Sequence, residues 1–150
     1  KTLEEIEILT KPFAEELVKK YSDSLTRKLI DLHRLDICLI TSGSLSFLVK
    51  EISNLLEIKQ YFGTEAEVKE GKYTGSLKGV PNFSQEKVRR VREWISLSKQ
   101  SIDTEIFSYS DSILDLPMLE FANHPILVEP DERLSTIGEE RQWKKLKRFN

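Results

Sequence analysis

In the run Ser108–Leu119, SYSDSILDLPML, Asp111 directly follows a β-prone stretch and Asp115 comes four residues later. Two carboxylates at the end of a strand can face one small volume. Hard oxygen donors of that kind suit Mg2+, which takes few protein oxygens and keeps water and substrate phosphate as its other ligands. The same spacing also serves a helix start, with Asp111 as the cap and Asp115 in the first turn, where the positive end of the helix favours acids. The residues alone leave both readings open. Thr41, Ser42, Gly43 and Ser44, after the apolar run Ile37–Ile40, form a second candidate. Amide donors at a helix start, with little side chain at Gly43, suit an anion, although such a turn can equally be only a cap. Lys87 is the third. With Ser84 capping, a cation in the first helical turn opposes the helix dipole, a conflict an anionic partner would relieve and a solvated lysine would bear at roughly tenths of a kcal/mol.

The elements that must position these groups can be read from periodicity. Thr2 and Glu5 have capping-box spacing, and Phe13, Leu17, Val18 and Tyr21 predict a helix from Thr2 to about Lys20, kinked or broken at Pro12. After Ser22, Asp23 and Ser24, which can cap, Leu25, Leu29 and Leu32 repeat on one face as far as Leu35. Ile37–Ile40 reads as a strand buried on both faces, ending in the small-residue turn. Leu45, Leu48, Val49, Ile52, Leu55 and Leu56 then follow helical spacing. Tyr61–Lys78 predicts a β-hairpin around Glu70 and Gly71. Ser84 caps a helix carrying Val88, Val91, Trp94 and Ile95 inward. Glu105–Tyr109 is a strand, Ile113–Ala122 a helix, and Ile126–Val128 a strand. Asp131 opens a last helix, after which Trp143, Leu146 and Phe149 dock the tail. Strands alternating with helices predict an α/β protein with a parallel sheet covered on both faces, where ligands gather at the carboxyl ends of strands.

Composition narrows the partners. The 150 residues suffice for one core, and 23 basic against 25 acidic residues give no charge excess that would draw nucleic acid or a membrane surface. A small partner is the better expectation. Arg89, Arg90 and Arg92 lack interleaved aromatics and read as a solvated face, as do the tail cations Lys144, Lys145, Lys147 and Arg148. His33 and His124 stand apart from the candidate groups and read as surface or packing residues. A single cysteine, Cys38 in an apolar run, builds no disulfide framework and fits a reducing, cytoplasmic compartment. The chain opens at Lys1 into a helix signal, without an initiator methionine or a signal peptide, so a cut end is expected.

The ordered set of motifs resembles the haloacid dehalogenase superfamily, in the branch containing phosphoserine phosphatase. Asp111 to Leu119 is similar to its fourth motif, the Thr41 turn to its second and Lys87 to its third. Gly63, Thr64, Glu65, the hairpin Glu70–Gly75, Asn123–Pro125 and Glu129–Arg133 extend the likeness over roughly Leu25–Trp143. The resemblance implies a three-layer Rossmann-like core over 22–150 with a hairpin excursion, preceded by the end of a helical cap over 1–21. It further implies Mg2+ on Asp111 and phosphoryl oxygens held by Thr41, Ser42, Gly43 and Lys87. Asp115 becomes a supporting acid, with Thr41, Lys87, Asp111 and Asp115 the catalytic set. Leu114 stands where phosphoserine phosphatases commonly have asparagine, so the branch is implied rather than the phosphoserine substrate. The family's first strand carries two aspartates two residues apart, nucleophile and proton donor, and no such pair occurs here. The expectation is therefore a magnesium-dependent phosphomonoesterase present as a C-terminal fragment, lacking its central first strand and inactive alone. The alternative is a non-catalytic protein that binds a phosphorylated ligand or a subunit through the same pocket. The substrate, hydrolysis as against transfer to another acceptor, and the oligomeric state are not legible.

Overall fold

Thr2 and Glu5 form the capping box their spacing predicts, Glu5 N–H donating to Thr2 Oγ1 at 3.1 Å and Thr2 N–H to Glu5 Oε2 at 2.7 Å, and this box opens helix α1, Leu3–Tyr21. In this computed structural model, which describes residues 1–98, 100 and 103–148, the chain divides into two compact units, Lys1–Asn82 and Phe83–Asn150. Pro12 lies inside α1 without ending it. The packing face differs from the expected stripe: Phe13 and Tyr21 are exposed, and the buried positions are the small residues Thr10 and Ala14. Asp23 caps α2, Ser24–Leu32, by accepting from Thr26 N–H at 2.9 Å. This helix buries Leu25 but leaves Leu32 and Leu35 exposed, so the expected stripe loses its second half.

The first strand begins later and runs further than its apolar residues suggest. β1 spans Leu39–Leu45, taking in the whole small-residue segment, and pairs in parallel with β2, Gln60–Thr64. Ile37 is exposed and lies before the strand, and Leu39 and Ile40 are half-buried, in place of the expected burial on both faces. Helix α3, Ser46–Leu55, follows β1 directly and packs against α1. Its buried residues are Val49, Glu51 and Ser53, while Leu55 is exposed. The hairpin turns at Glu70 and Gly71 as predicted but is shorter than the expected Tyr61–Lys78, because its first residues belong to β2: β3, Ala66–Lys69, pairs antiparallel with β4, Lys72–Leu77. Glu70 and Gly71 have φ of 49° and 72°, the positive pair that matches a two-residue turn to the twist of its strands.

In the second unit, α4 covers Gln85–Leu97, with Val88 and Val91 buried. Ser84 occupies the cap position but makes no side-chain capping bond and has φ 49° and ψ −119°, so the expected serine cap is absent. β5, Phe107–Ser110, β6, His124–Val128, and β7, Lys144–Leu146, form a parallel sheet in that order. The tail expected to dock through side chains therefore docks as a strand; Phe149 lies outside the described residues. The helix expected over Ile113–Ala122 is split into a 3-10 turn, Ile113–Asp115, and α5, Leu116–Phe121, with Pro117 in its first turn, where a missing N–H is harmless. α6, Glu132–Glu140, starts at an Asp131 cap. Leu119, Leu127 and Leu134 are fully buried at the centre of this unit, with Ile113, Leu116 and Trp143 against them. Strands joined by helices into parallel sheets make this an α/β protein. No helix among the described residues is long and apolar enough to cross a membrane.

Candidate phosphate site

Between Thr41, paired with Phe62, and Leu45, paired with Thr64, the ladder shifts register, so Ser42, Gly43 and Ser44 stand opposite Gly63 alone. The segment expected to be a helix-opening turn is a bulge in a strand. Gly63 makes it possible: a Cβ there would lie 2.6 Å from Ser46 Cα and 2.9 Å from Ser44 O. Two polar side chains hold the bulge from behind. Thr64 Oγ1 donates to Gly43 O at 2.8 Å. Asn82 Nδ2 lies 2.9 Å from Ser42 O, 3.1 Å from Thr41 Oγ1 and 3.2 Å from Phe62 O. In a trans peptide the C=O and the following N–H point opposite ways. Capturing the carbonyls of Ser42 and Gly43 therefore turns the amides of Gly43 and Ser44 away from Asn82 and Thr64. Ser44 N–H meets Ser42 Oγ at 3.2 Å. The result is a small-residue bulge whose Gly43 and Ser44 amides face away from Asn82 and Thr64, an arrangement suited to an anion.

The second group lies in the second unit. Lys87 is buried, and its Nζ donates to Asp115 Oδ1 at 2.5 Å. Asp115 Oδ2 accepts from Ser110 Oγ at 2.7 Å, and Ser110 Oγ accepts from Ser112 N–H at 3.2 Å. The conflict between Lys87 and its own helix dipole is thus relieved inside the chain by Asp115, before any ligand. Ser112, and not Asp111, caps the 3-10 turn, accepting from Leu114 N–H at 3.3 Å. Asp111 is exposed, and among the described residues nothing bonds its carboxylate; only its backbone O is used, accepting from Asp131 N–H at 2.7 Å. Asp131 steadies this turn as well as its own helix, taking Leu134 N–H at 2.9 Å and Ile113 N–H at 2.6 Å. Those backbone donors, Leu134 first, hold its carboxyl below the usual range.

Lys87 and Asp115 are therefore in direct contact, Asp111 extends from the same turn with its oxygens open, and Thr41, Ser42 and Gly43 form their own group in the first unit. An open carboxylate fits a hard cation that takes one protein oxygen and keeps waters. Among the described residues no three His, Cys, Asp or Glu side chains gather as a protein cage for a metal. Sequence reasoning missed three contributors. Asn82 carries no motif signal, Ser110 was visible only as part of a polar turn, and Asp131 was read as a helix start alone.

The haloacid dehalogenase-like hydrolase family model matches residues 2–120, and the chain belongs to that family. It is 28% identical over 145 residues to the histidinol-phosphatase of Neisseria meningitidis serogroup C (strain 8013), covering 93% of this chain and 65% of that protein. It is 32% identical over 122 residues to the phosphoserine phosphatase SerB1 of Mycobacterium tuberculosis, covering 79% of this chain and 39% of that protein. The chain thus spans less than two thirds of the length of either relative. A protein of unknown function from Bordetella pertussis Tohama I superposes with a TM-score of 0.88 at 25% identity, over 97% of this chain and 67% of that one. A substrate-bound phosphoserine phosphatase shares the fold, with a TM-score of 0.58 at 21% identity, over 74% of this chain and 53% of that one.

Proposed function

We propose that these residues form the phosphate-binding part of a magnesium-dependent phosphomonoesterase acting on a small phosphorylated metabolite in the cytoplasm. Thr41, through its hydroxyl, and Ser42 and Gly43, through the bulge backbone, bind phosphoryl oxygens together with the Lys87 ammonium. Asp115 holds the Lys87 side chain in place. Asp111 would hold Mg2+, which when bound neutralises charge on the transferring phosphoryl group. Because these donors are fixed before the substrate arrives, charge that develops during displacement meets prealigned partners. The observation that carries the reading is the division of labour between Asp115, whose two oxygens meet Lys87 and Ser110, and Asp111, four residues earlier, whose carboxylate bonds no described residue.

No aspartates two residues apart occur in the 150 residues, so the reading places the nucleophile outside them. In the same reading, 1–21 is the end of a cap and 22–150 the catalytic core. The named relatives make histidinol phosphate and phosphoserine the first substrates to assay. The longer polypeptide is expected to hydrolyse one of them only with Mg2+, and T41V, K87M and D111N each to lower kcat/KM by about 100-fold or more. The 150 residues alone are expected to bind phosphate without turnover. Magnesium-dependent turnover by the 150-residue chain would refute the missing nucleophile. Phosphate binding without hydrolysis of any ester by the longer polypeptide would instead favour a non-catalytic phosphate-binding protein.

A further inference from the structure

Asn82 is fully buried, and its side chain makes an asymmetric set of contacts. Its Nδ2 serves Ser42 O, Phe62 O and Thr41 Oγ1, and its backbone N–H donates at 3.0 Å to Thr64 Oγ1. Its Oδ1 is buried without a partner among the described residues. Reversing the amide would set its oxygen against two carbonyl oxygens, so the orientation is fixed with the NH2 toward the bulge. An N–H offered to Thr41 Oγ1 occupies a lone pair of that hydroxyl and leaves its proton to be donated. No described residue accepts that proton.

We propose that Asn82 is the positioning residue of the bulge, which by holding Ser42 O and Thr41 Oγ1 makes Thr41 an outward hydrogen-bond donor for a tetrahedral oxyanion. This rests on the phosphate-binding role given to Thr41 above. The unpaired Oδ1 fits it: the site uses the amide for its donors alone. The ligand chemistry is that of an acceptor-only anion, because the hydroxyl proton and the bulge amides are all donors. Binding should strengthen the Asn82–Thr41 bond in turn, since a hydroxyl that donates becomes a better acceptor.

The test is a titration of inorganic phosphate into the 15N-labelled 150-residue chain at constant ionic strength, for the wild type, T41V, N82A and T41V/N82A. Phosphate should shift the Gly43 and Ser44 amides and, in the same isotherm, the Asn82 side-chain NH2. Either single variant should weaken binding about tenfold, and the double variant no further, because both substitutions remove one donor. Losses that multiply in the double variant, or wild-type affinity in N82A, would make Asn82 a packing residue and overturn the proposal while leaving Thr41 its role. If N82A does not fold, the wild-type titration decides: an Asn82 NH2 resonance that stays fixed while Gly43 moves overturns it. Absence of any phosphate shift at Gly43 and Ser44 would sink the phosphate site itself, and this inference with it.

Discussion

Replacing Gly63 by alanine tests the bulge directly. The new Cβ would stand 2.6 Å from Ser46 Cα and 2.9 Å from both Ser44 O and Ser46 N. Ordinary carbon contacts are roughly 3.5–4.0 Å, so the overlap is about 1 Å, and all three neighbours are backbone atoms that cannot rotate aside. Overpacking costs about 1–3 kcal/mol where side chains can yield, and a backbone clash belongs at the upper end, about 3 kcal/mol. For a chain of 150 residues, at roughly 2–4 °C per kcal/mol, the melting temperature should fall by about 6–12 °C. G71A is the control: nothing lies within 4 Å of its added Cβ, and only the φ of +72° is unfavourable, at about 1–2 kcal/mol. Thermal unfolding by circular dichroism should therefore rank wild type above G71A above G63A, and G63A alone should also lose the phosphate-induced amide shifts. A G63A protein melting within about 2 °C of wild type would show that Ser42–Ser44 do not crowd against β2 as described.

The Lys87–Asp115 pair, with side chains 9% and 22% exposed, should behave as a nearly buried ion pair. K87M alone is expected to cost about 3 kcal/mol in urea unfolding, and K87M/D115L to recover at least half of that, because an uncompensated carboxylate is worse than an apolar pair; equal stability of wild type and K87M would contradict the contact. D111N removes a charge that no described residue uses, so its unfolding free energy should stay within about 0.5 kcal/mol of wild type, while Mg2+ titration by NMR shows affinity at least about tenfold weaker. Hydrogen bonds from Arg89 and then Arg90 hold the Glu86 carboxyl at about 2, against an ordinary 4.5. A group depressed in the folded state stabilises above its unfolded value and loses that contribution as pH falls toward its folded value. The melting temperature of wild type relative to E86Q should thus decline between pH 4.5 and 2 and be flat above that range; parallel curves across it would refute the pairing.

Much of this architecture was legible because it is local. The capping box, the hairpin turn at Glu70 and Gly71 and the Asp131 cap each depend on residues within a few positions, and each formed where its spacing indicated. Errors cluster where a distant partner decides. Ile37–Ile40 read as the strand because apolar residues marked it, yet the strand runs to Leu45, because β2 pairs beyond Thr41 and Gly63 leaves room for the excess residues. The tail read as docked by the side chains of Trp143, Leu146 and Phe149 with solvated lysines between, yet Lys144–Leu146 joins β6 through backbone bonds that lysine side chains do not advertise.

The candidate site follows the same rule at finer scale. Residue types identified Thr41, Lys87, Asp111 and Asp115 as chemically capable, but capability left open which carboxylate was free. That question is settled by Ser112, which takes the capping role that would have employed Asp111, and by Ser110 and Lys87, which occupy both oxygens of Asp115. Hydrogen-bond capacity is finite, so each internal partner removes a residue from the pool that can meet a ligand. By that criterion the open groups of the candidate set, among the described residues, are the Asp111 carboxylate in the second unit, an acceptor suited to a cation, and the Thr41 proton in the first, a donor suited to an anion.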